Sequence, residues 1–578
     1  MRTSATVPLL ALLLVPSASF ANGSTALQLT PCTPPGMAAE ARCGTYEVFE
    51  NRAAKSGRKL PLSVVVLPAT GAAREPDPLV YFSGGPGESA IDSASWLAHT
   101  LADLRQRRDI VLVDLRGTGK SAPLFCSAMT GTRGIEGFLE HFLPVDEVRA
   151  CRREHADRDL AWYNSPVAMD DVAEVLTALG YERANLMGGS YGTRSALTFI
   201  RRHPQRARTA VLHAVVTPDS GYPATVASDA QAALDGTLAE CAADSACAKA
   251  FPRTREELAA VFERLAKAPV TVELRHPNTG EPLSLRLSRA GFAQGLRYML
   301  YSPSAAVLVP LYVHAAFEGD YRPMAELVAK QAAMVSGNQL SDGFYLSVTC
   351  AEDVPFIDDA AATAAARGTF LGDFRLRAQQ AACREWGVPP LPREVLEPVR
   401  SDVPALLVSG ERDPVTPPRD GHAVARHLTR ALHVVIPDAG HSLEGMKGAE
   451  CVDRLAVQLV EKGSVEGLDT SCLAAIQRPA FVLELPRDVA LEPARLAALA
   501  GTYAAPDGAI ELRVELAGDR LRVFFLEETF FLVPVSATRF RVEGLPPAYG
   551  LEVVESGGKV TGMKLLEGET VIELARKG

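Results

Sequence analysis

Beyond its first residues the sequence has no apolar run approaching the roughly 20 residues that a membrane-spanning helix needs, so no span is expected. Positive charge is not in excess either. Lys and Arg number 59 against 69 Asp and Glu, a formal net charge of −10, which removes the electrostatic case for a nucleic-acid partner. There is no C-x-x-C pair and no Cys/His cluster along the chain, so metal ligation is not indicated and no cofactor is expected. Gly117-Thr118-Gly119-Lys120-Ser121 ends like a phosphate loop but lacks the G-x-x-x-x-G-K-[ST] spacing, and nucleotide binding is rejected there.

What is present reads as a globular protein: 47% hydrophobic and 22% charged residues over 578 positions, too many for one core and enough for two or three domains. Met1-Arg2, the apolar residues 7–15 and Ser19-Phe20-Ala21 have the order of a secretory signal peptide, so residues 1–21 are expected to be removed on export, with the mature chain starting near Asn22. The ten cysteines are even in number and fall in local couples. In an exported chain they read as disulfides. Spacing does not fix connectivity; nearest-neighbour pairing (Cys32 with Cys43, Cys126 with Cys151, Cys241 with Cys247, Cys350 with Cys383, Cys451 with Cys472) is the expectation.

The stretch that organises the rest is Gly188-Gly189-Ser190-Tyr191-Gly192, a G-x-S-x-G at the end of an apolar strand (184–187) with a helix starting at once (193–202). A sharp strand-to-helix turn crowds the backbone around its serine, which calls for glycine on both sides and exposes the hydroxyl as a nucleophile. Two more loops follow strands. Residues 404–409 lead into Gly410-Glu411-Arg412-Asp413, and residues 432–436 into Pro437-Asp438-Ala439-Gly440-His441. The order Ser190, Asp413, His441 is that of the serine, acid and histidine in α/β-hydrolases, and differs from the other serine-protease plans. Asp438 competes with Asp413 for the acid role but lies on the histidine's own loop, so Asp413 is preferred. His422, His427 and His433 are read as solvated or packed residues.

Earlier in the chain, the apolar runs 62–67 and 79–82 are strands, and the second runs into Ser83-Gly84-Gly85-Pro86-Gly87. A glycine-rich turn ending a buried strand can aim backbone N–H groups at a developing oxyanion. Pro86 has no N–H, so Gly85, with Gly84 as the alternative, is the expected donor, partnered by the N–H of Tyr191. Strand 109–113 is followed by Asp114 and Arg116, read as a buried pair. Residues 30–57, rich in Pro, Gly and Cys, are read as an entry segment.

These motifs set an α/β-hydrolase fold in parts: core 22–218, a mainly helical lid at 219–345 where strand–helix alternation stops, core again at 346–484, and a small antiparallel β domain at 485–578, where Ile510, Leu512, Val514 and Leu516 alternate with polar residues. An insertion at the carboxyl edge of a parallel sheet lies where ligands bind.

The glycine loop, the Asp114–Ser121 loop, the serine elbow and the Asp413 and His441 loops together resemble the proline iminopeptidase and tripeptidyl aminopeptidase group of α/β-hydrolases, over residues 40–475. Ser83 departs from the histidine that relatives often carry before the paired glycines. The resemblance implies an exported aminopeptidase acting on peptides. A free amine must then be held by carboxylates, and Glu352 and Asp353, in a stretch resembling an acidic element of tripeptidyl relatives, are the expected partners, pinned by Cys350 and Cys383. An ester hydrolase with the same residues, or a binding protein on an inactive hydrolase scaffold, are the rivals.

Overall fold

The computed structural model describes residues 27–577 except 38–40, 132–134, 136–141, 336–339, 507–509, 526–527 and 569. The expected signal peptide, residues 1–21, lies outside the described residues. Nine strands form the main sheet in the order β1-β2-β3-β5-β4-β6-β7-β10-β11. They are β1 (Thr30–Cys32), β2 (Ala41–Phe49), β3 (Lys59–Leu67), β4 (Leu79–Phe82), β5 (Ile110–Val113), β6 (Ala184–Gly189), β7 (Ala207–His213), β10 (Ala405–Gly410) and β11 (Ala431–Ile436). β1, β2, β3 and β5 pair antiparallel; from β5 across to β11 every pairing is parallel.

The parallel strands are short apolar runs because helices cover both faces of the sheet. All four residues of β5 and all six of β10 are buried. On one face lie the helices Ser165–Ala178 and Tyr191–Arg202, whose Val172, Leu176, Leu197 and Phe199 pack on Val80, Val111 and Leu186. On the other lie Ala94–Thr100 and Glu450–Lys462, carrying Leu97 and Val460 onto Leu79 and Leu112. Asn164 caps the first of these, its side chain accepting from the Val167 N–H at 3.1 Å.

The entry segment carries a nine-residue strand. β2 forms there and pairs with β3 over eight residue partners, because a neighbouring strand supplies the ladder that local composition does not advertise. Asp114 and Arg116 are both buried, as expected, but they are not a pair. Asp114 accepts from Ser89 Oγ (2.8 Å), Ile91 N (3.2 Å) and Lys120 N (2.9 Å), whereas Arg116 binds Asp171 at 2.6 and 2.9 Å. The reason is the turn between them and Ser121. Gly117 and Gly119 take positive φ, and the chain folds back over Asp114 so closely that a Cβ on Gly119 would lie 2.1 Å from its Oδ2.

Between β7 and β10 the chain builds a layer of helices, among them Val226–Ala243, Thr254–Lys267, Arg289–Met299, Val309–Phe317 and Arg322–Val335, around their own apolar cluster with Leu234, Val261, Phe292 and Val328. This layer is not all helix. β8 (Val270–Arg275) and β9 (Pro282–Leu287) make a hairpin, foreshadowed by the period-two runs V-T-V-E-L-R and P-L-S-L-R-L. The helices Asp342–Glu352 and Phe374–Trp386 then return to the main core through Phe344, Leu346, Val348 and Trp386.

The C-terminal strands β12 (Gly501–Ala504), β13 (Glu511–Ala517), β14 (Arg520–Phe525), β15 (Glu528–Pro534), β16 (Arg539–Val542), β17 (Tyr549–Ser556), β18 (Lys559–Glu567) and β19 (Thr570–Arg576) close into an antiparallel barrel. Alternate residues such as Leu512, Val514, Leu521, Val523 and Leu574 fill it, and closure leaves no free edge. The barrel rests on the helical layer. Lys330 Nζ donates to the Thr529 carbonyl at 3.0 Å, and the ring of Phe531 lies against Gly280. All ten cysteines are disulfide-bonded to the nearest cysteine in sequence.

Candidate active site

Ser190 stands between β6 and the helix Tyr191–Arg202 with φ 54° and ψ −125°, a conformation an L-residue adopts only under strain. The glycines around it are required by contact. A Cβ on Gly188 would lie 2.4 Å from the Gly192 carbonyl oxygen, and one on Gly192 would lie 2.1 Å from that of Phe82, at the end of β4. The elbow is thus wedged against the strand that feeds the glycine loop. Tyr191 opens its helix, so its N–H has no intrahelical acceptor. In the glycine loop, Gly84 N–H is taken by Glu88 Oε2 at 3.1 Å, while Gly85 N–H makes no hydrogen bond among the described residues.

Two strands further across the sheet, β10 and β11 run in register, Gly410 beside Ile436, and deliver Asp413 and His441 to the same edge. Gly410 is packed so tightly under the histidine loop that a Cβ would lie 1.9 Å from the Gly440 carbonyl oxygen. His441 Nδ1 lies 2.9 and 3.0 Å from the two carboxylate oxygens of Asp413. Asp413 is only 2% exposed. It also accepts the N–H groups of Val415 (2.8 Å) and Thr416 (2.9 Å) and the Thr416 hydroxyl (2.7 Å). Burial alone would raise this carboxyl; the imidazole and the Thr416 bonds outweigh it and hold the acid below its ordinary range. Thr416, which the sequence reading passed over, also comes within 3.2 Å of His441 Nδ1.

The Ser190 hydroxyl makes no hydrogen bond to His441 among the described residues. Such contacts are often loose in a substrate-free site and tighten when substrate binds. Ser190 N–H donates to the carbonyl of His213, the last residue of β7, at 3.0 Å, and burial pushes the His213 imidazole down to about 4. The competing acid Asp438 turns away, toward Arg412 (4.0 Å) and Arg478 (3.8 Å). His433 is bonded to Ser409 and His422, both at 3.0 Å.

Glu352 and Asp353 are brought near the elbow helix, and both are buried. Glu352 accepts from Ser165 N (2.7 Å) and Ser165 Oγ (2.8 Å), and that hydroxyl in turn contacts the Tyr191 hydroxyl at 2.8 Å. Asp353 forms a two-pronged pair with Arg194 at 3.0 and 2.8 Å. Burial pushes Glu352 up to about 7 against the opposing pull of Arg194 and Ser165. Arg194, three residues into the elbow helix, carried no signal by itself. A different acid, Glu88, sits at the glycine loop, is solvent-exposed, and lies within electrostatic range of His441. Cys126, Cys151 and His155 also cluster, but both sulfurs are committed to a disulfide and neither is a thiolate ligand.

A mostly parallel sheet with helices on both faces, a strained serine after one strand and a hydrogen-bonded acid and histidine after two later ones define an α/β-hydrolase. Residues 77–443, well over half of the chain, match the model of the alpha/beta hydrolase fold family, and the chain belongs to that family. It is 24% identical to serine protease Hip1 of Mycobacterium tuberculosis over 473 residues, which cover 75% of this chain and 87% of that one. It is 23% identical to tripeptidyl aminopeptidase of Streptomyces coelicolor over 470 residues (75% and 83%). Carboxylesterase B of Mycobacterium tuberculosis is 26% identical over 485 residues (75% and 86%). With these relatives, the chain is a serine hydrolase.

Proposed function

We propose that the chain is an exported serine aminopeptidase that releases residues or short peptides from the amino end of its substrates through an acyl-enzyme. In this reading His441, oriented by Asp413, takes the Ser190 proton as the hydroxyl attacks the peptide carbonyl, and the Gly85 and Tyr191 N–H groups hold the oxyanion. The same imidazole then protonates the leaving amine and activates the water that frees the acid product. The observation that carries the reading is the Asp413 to His441 contact at the sheet edge to which the strained Ser190 turn also belongs. Five disulfides support export to an oxidising compartment.

For the substrate ammonium, Glu88 is favoured over Glu352 and Asp353. Glu88 is exposed beside the glycine loop, while the other two are buried and satisfied by Ser165 and Arg194. Those two then support Tyr191 and its helix. The second reading, an ester hydrolase, is favoured by the likeness to carboxylesterase B.

The test is a matched set: a short peptidyl amide with a free amine, its N-acetylated form, and a simple ester. The peptidase reading expects acetylation to abolish turnover and Ser190→Ala to abolish both turnover and labelling by a fluorophosphonate. Turnover indifferent to acetylation, with faster ester cleavage, would move the assignment to the ester hydrolase; turnover surviving in Ser190→Ala would end both readings.

A further inference from the structure

Two buried arginines around Tyr301, the ring against His441, have no acid to pair with among the described residues. Arg297, on the helix Arg289–Met299, and Arg375, on the helix Phe374–Trp386, are 2% and 8% exposed. Of the other buried arginines, Arg108 is matched by Asp77, Arg116 by Asp171 and Arg194 by Asp353, while Arg105 donates to the Pro68 carbonyl at 3.2 Å. Among the described residues, Arg297 and Arg375 form no ion pair at all. Each has a single side-chain hydrogen bond, to a phenol: Arg297 to Tyr301 (2.6 Å) and Arg375 to Tyr222 (3.0 Å). In both, the buried Nε is left without an acceptor. Aromatic faces supply the remaining contact, Tyr301 with Arg297 at 5.0 Å and Phe142 with Arg375 at 3.9 Å.

A guanidinium carries five donors and is expensive to bury without acceptors, so two such groups around the same phenols, Tyr222 and Tyr301, are a standing demand for an anion. The phenols feel that demand. Burial would raise the Tyr222 hydroxyl, yet Arg375 and Arg297 outweigh burial and hold it below its ordinary range. Asp353 lies within electrostatic range of Tyr345 at the edge of the cluster, but it is already committed to Arg194.

The cluster also touches the site. The ring of Tyr301 meets the His441 imidazole edge-on at 5.2 Å between centroids, and the Tyr301 carbonyl accepts the Ser442 N–H at 2.9 Å. A Cβ on Gly440 would lie 2.6 Å from that same carbonyl, so the histidine loop is seated on Tyr301. Tyr222, Tyr298 and Tyr301 are half-buried, which keeps the edge of the cluster open to solvent. Two helices from different parts of the chain thus bring their cations within electrostatic range of Tyr301, whose ring lies against the acid–base group of the proposed reaction.

We propose that Arg297 and Arg375 form a carboxylate-binding subsite beside His441, and that the substrates are peptides presenting a carboxylate close to the scissile bond. The carboxylate comes either from an Asp or Glu side chain or from the carboxyl terminus of a short peptide; both offer the paired oxygens that a guanidinium fork engages. The proposal rests on the serine-hydrolase chemistry assigned to His441, and its test keeps the two apart.

Wild-type protein is first checked for fluorophosphonate labelling. It is then given peptides with a free amino terminus that differ only as Glu against Gln at one position on either side of the cut, and as carboxyl-terminal acid against amide. One carboxylate form is expected to exceed its neutral partner by about tenfold or more in kcat/KM, the worth of a charge-assisted hydrogen bond. The Glu/Gln arm identifies a side-chain source and the acid/amide arm a terminal one. Arg297→Met and Arg375→Met should bring the ratio close to one, while Arg375→Lys should keep part of it. Because these variants change a buried site, calorimetric binding of glutarate, with glutaramide as control, reads the subsite in the unmodified protein without turnover. Saturable glutarate binding that glutaramide does not match supports the subsite even if labelling fails and the reaction reading falls. Labelled, active protein with no preference for any carboxylate form and no glutarate binding would overturn it.

Discussion

His441 Nδ1 lies 2.9 Å from Asp413 Oδ2, and Thr416 Oγ1 donates to that same oxygen at 2.7 Å. The hydroxyl and the backbone N–H groups of the 413–416 turn hold the carboxylate in place for the imidazole. Asp413→Asn should keep the packing but favour the wrong imidazole tautomer, with kcat lower by about 10⁴-fold, the loss seen where such an acid is neutralised. Thr416→Val should cost far less, on the order of tenfold, by removing one charge-assisted bond. Steady-state kinetics on the best peptide separates the two. Equal losses would mean Thr416 does more than steady the acid.

Asp413 also fixes the sign of a pH effect. Its carboxyl is held below the ordinary value of about 3.9, so the fold gains stability above that value and loses it as pH falls through the depressed native one. The difference in melting temperature between wild type and Asp413→Asn should therefore shift in favour of the variant as the pH is taken down through this acid window. A difference that stays flat from pH 5 to strongly acid conditions (about pH 2) would contradict the depressed acid.

Glu352 should show the opposite trend. Burial pushes it up to about 7 from about 4.5, so its contribution to stability is present at low pH and is lost as pH rises through that interval. Glu352→Gln cannot ionise. Its melting temperature relative to wild type should improve as pH rises from about 4 to 8. No change in the difference would show that Arg194 and Ser165 fully compensate the charge.

Gly189 and Gly192, on either side of Ser190 in the elbow, differ in what surrounds them. A Cβ on Gly192 meets the Phe82 carbonyl at 2.1 Å, whereas one on Gly189 meets nothing within 4 Å. Gly192→Ala should lower stability by about 2 kcal/mol or more and abolish fluorophosphonate labelling, because backbone has to move. Gly189→Ala should stay within about 1 kcal/mol of wild type. Denaturant melts check both.

The disulfide Cys350–Cys383 closes a 33-residue separation and ties the helix carrying Glu352 to the helix carrying Arg375. Replacing both cysteines by alanine should cost about 2–4 kcal/mol in a denaturant melt. The carboxylate preference described above should fall with it, since Arg375 would lose its anchor. An unchanged preference in a destabilised protein would show that the helix is held by packing alone.

Much of the site was legible before any coordinates because it is written in local constraints. Glycine on both sides of Ser190 follows from backbone crowding, and apolar runs ending at Phe82, Gly189, Gly410 and Ile436 follow from strands covered on both faces. The alternation of residues 510–516 announced antiparallel strands, though not that eight of them close into a barrel.

By itself, then, the sequence determined the elements, their order, and which side chains each strand end delivers, because those depend on neighbours a few residues apart. Only the tertiary structure decided who meets whom: Arg116 with Asp171 rather than Asp114, Asp353 with Arg194, Glu352 with Ser165, and Arg297 and Arg375 with phenols and, among the described residues, no acid. Partners of buried charges come from segments tens to hundreds of residues away. Nothing in local spacing encodes such a pairing, which is set when desolvation forces each buried charge to find the acceptor that the packed layers leave within reach.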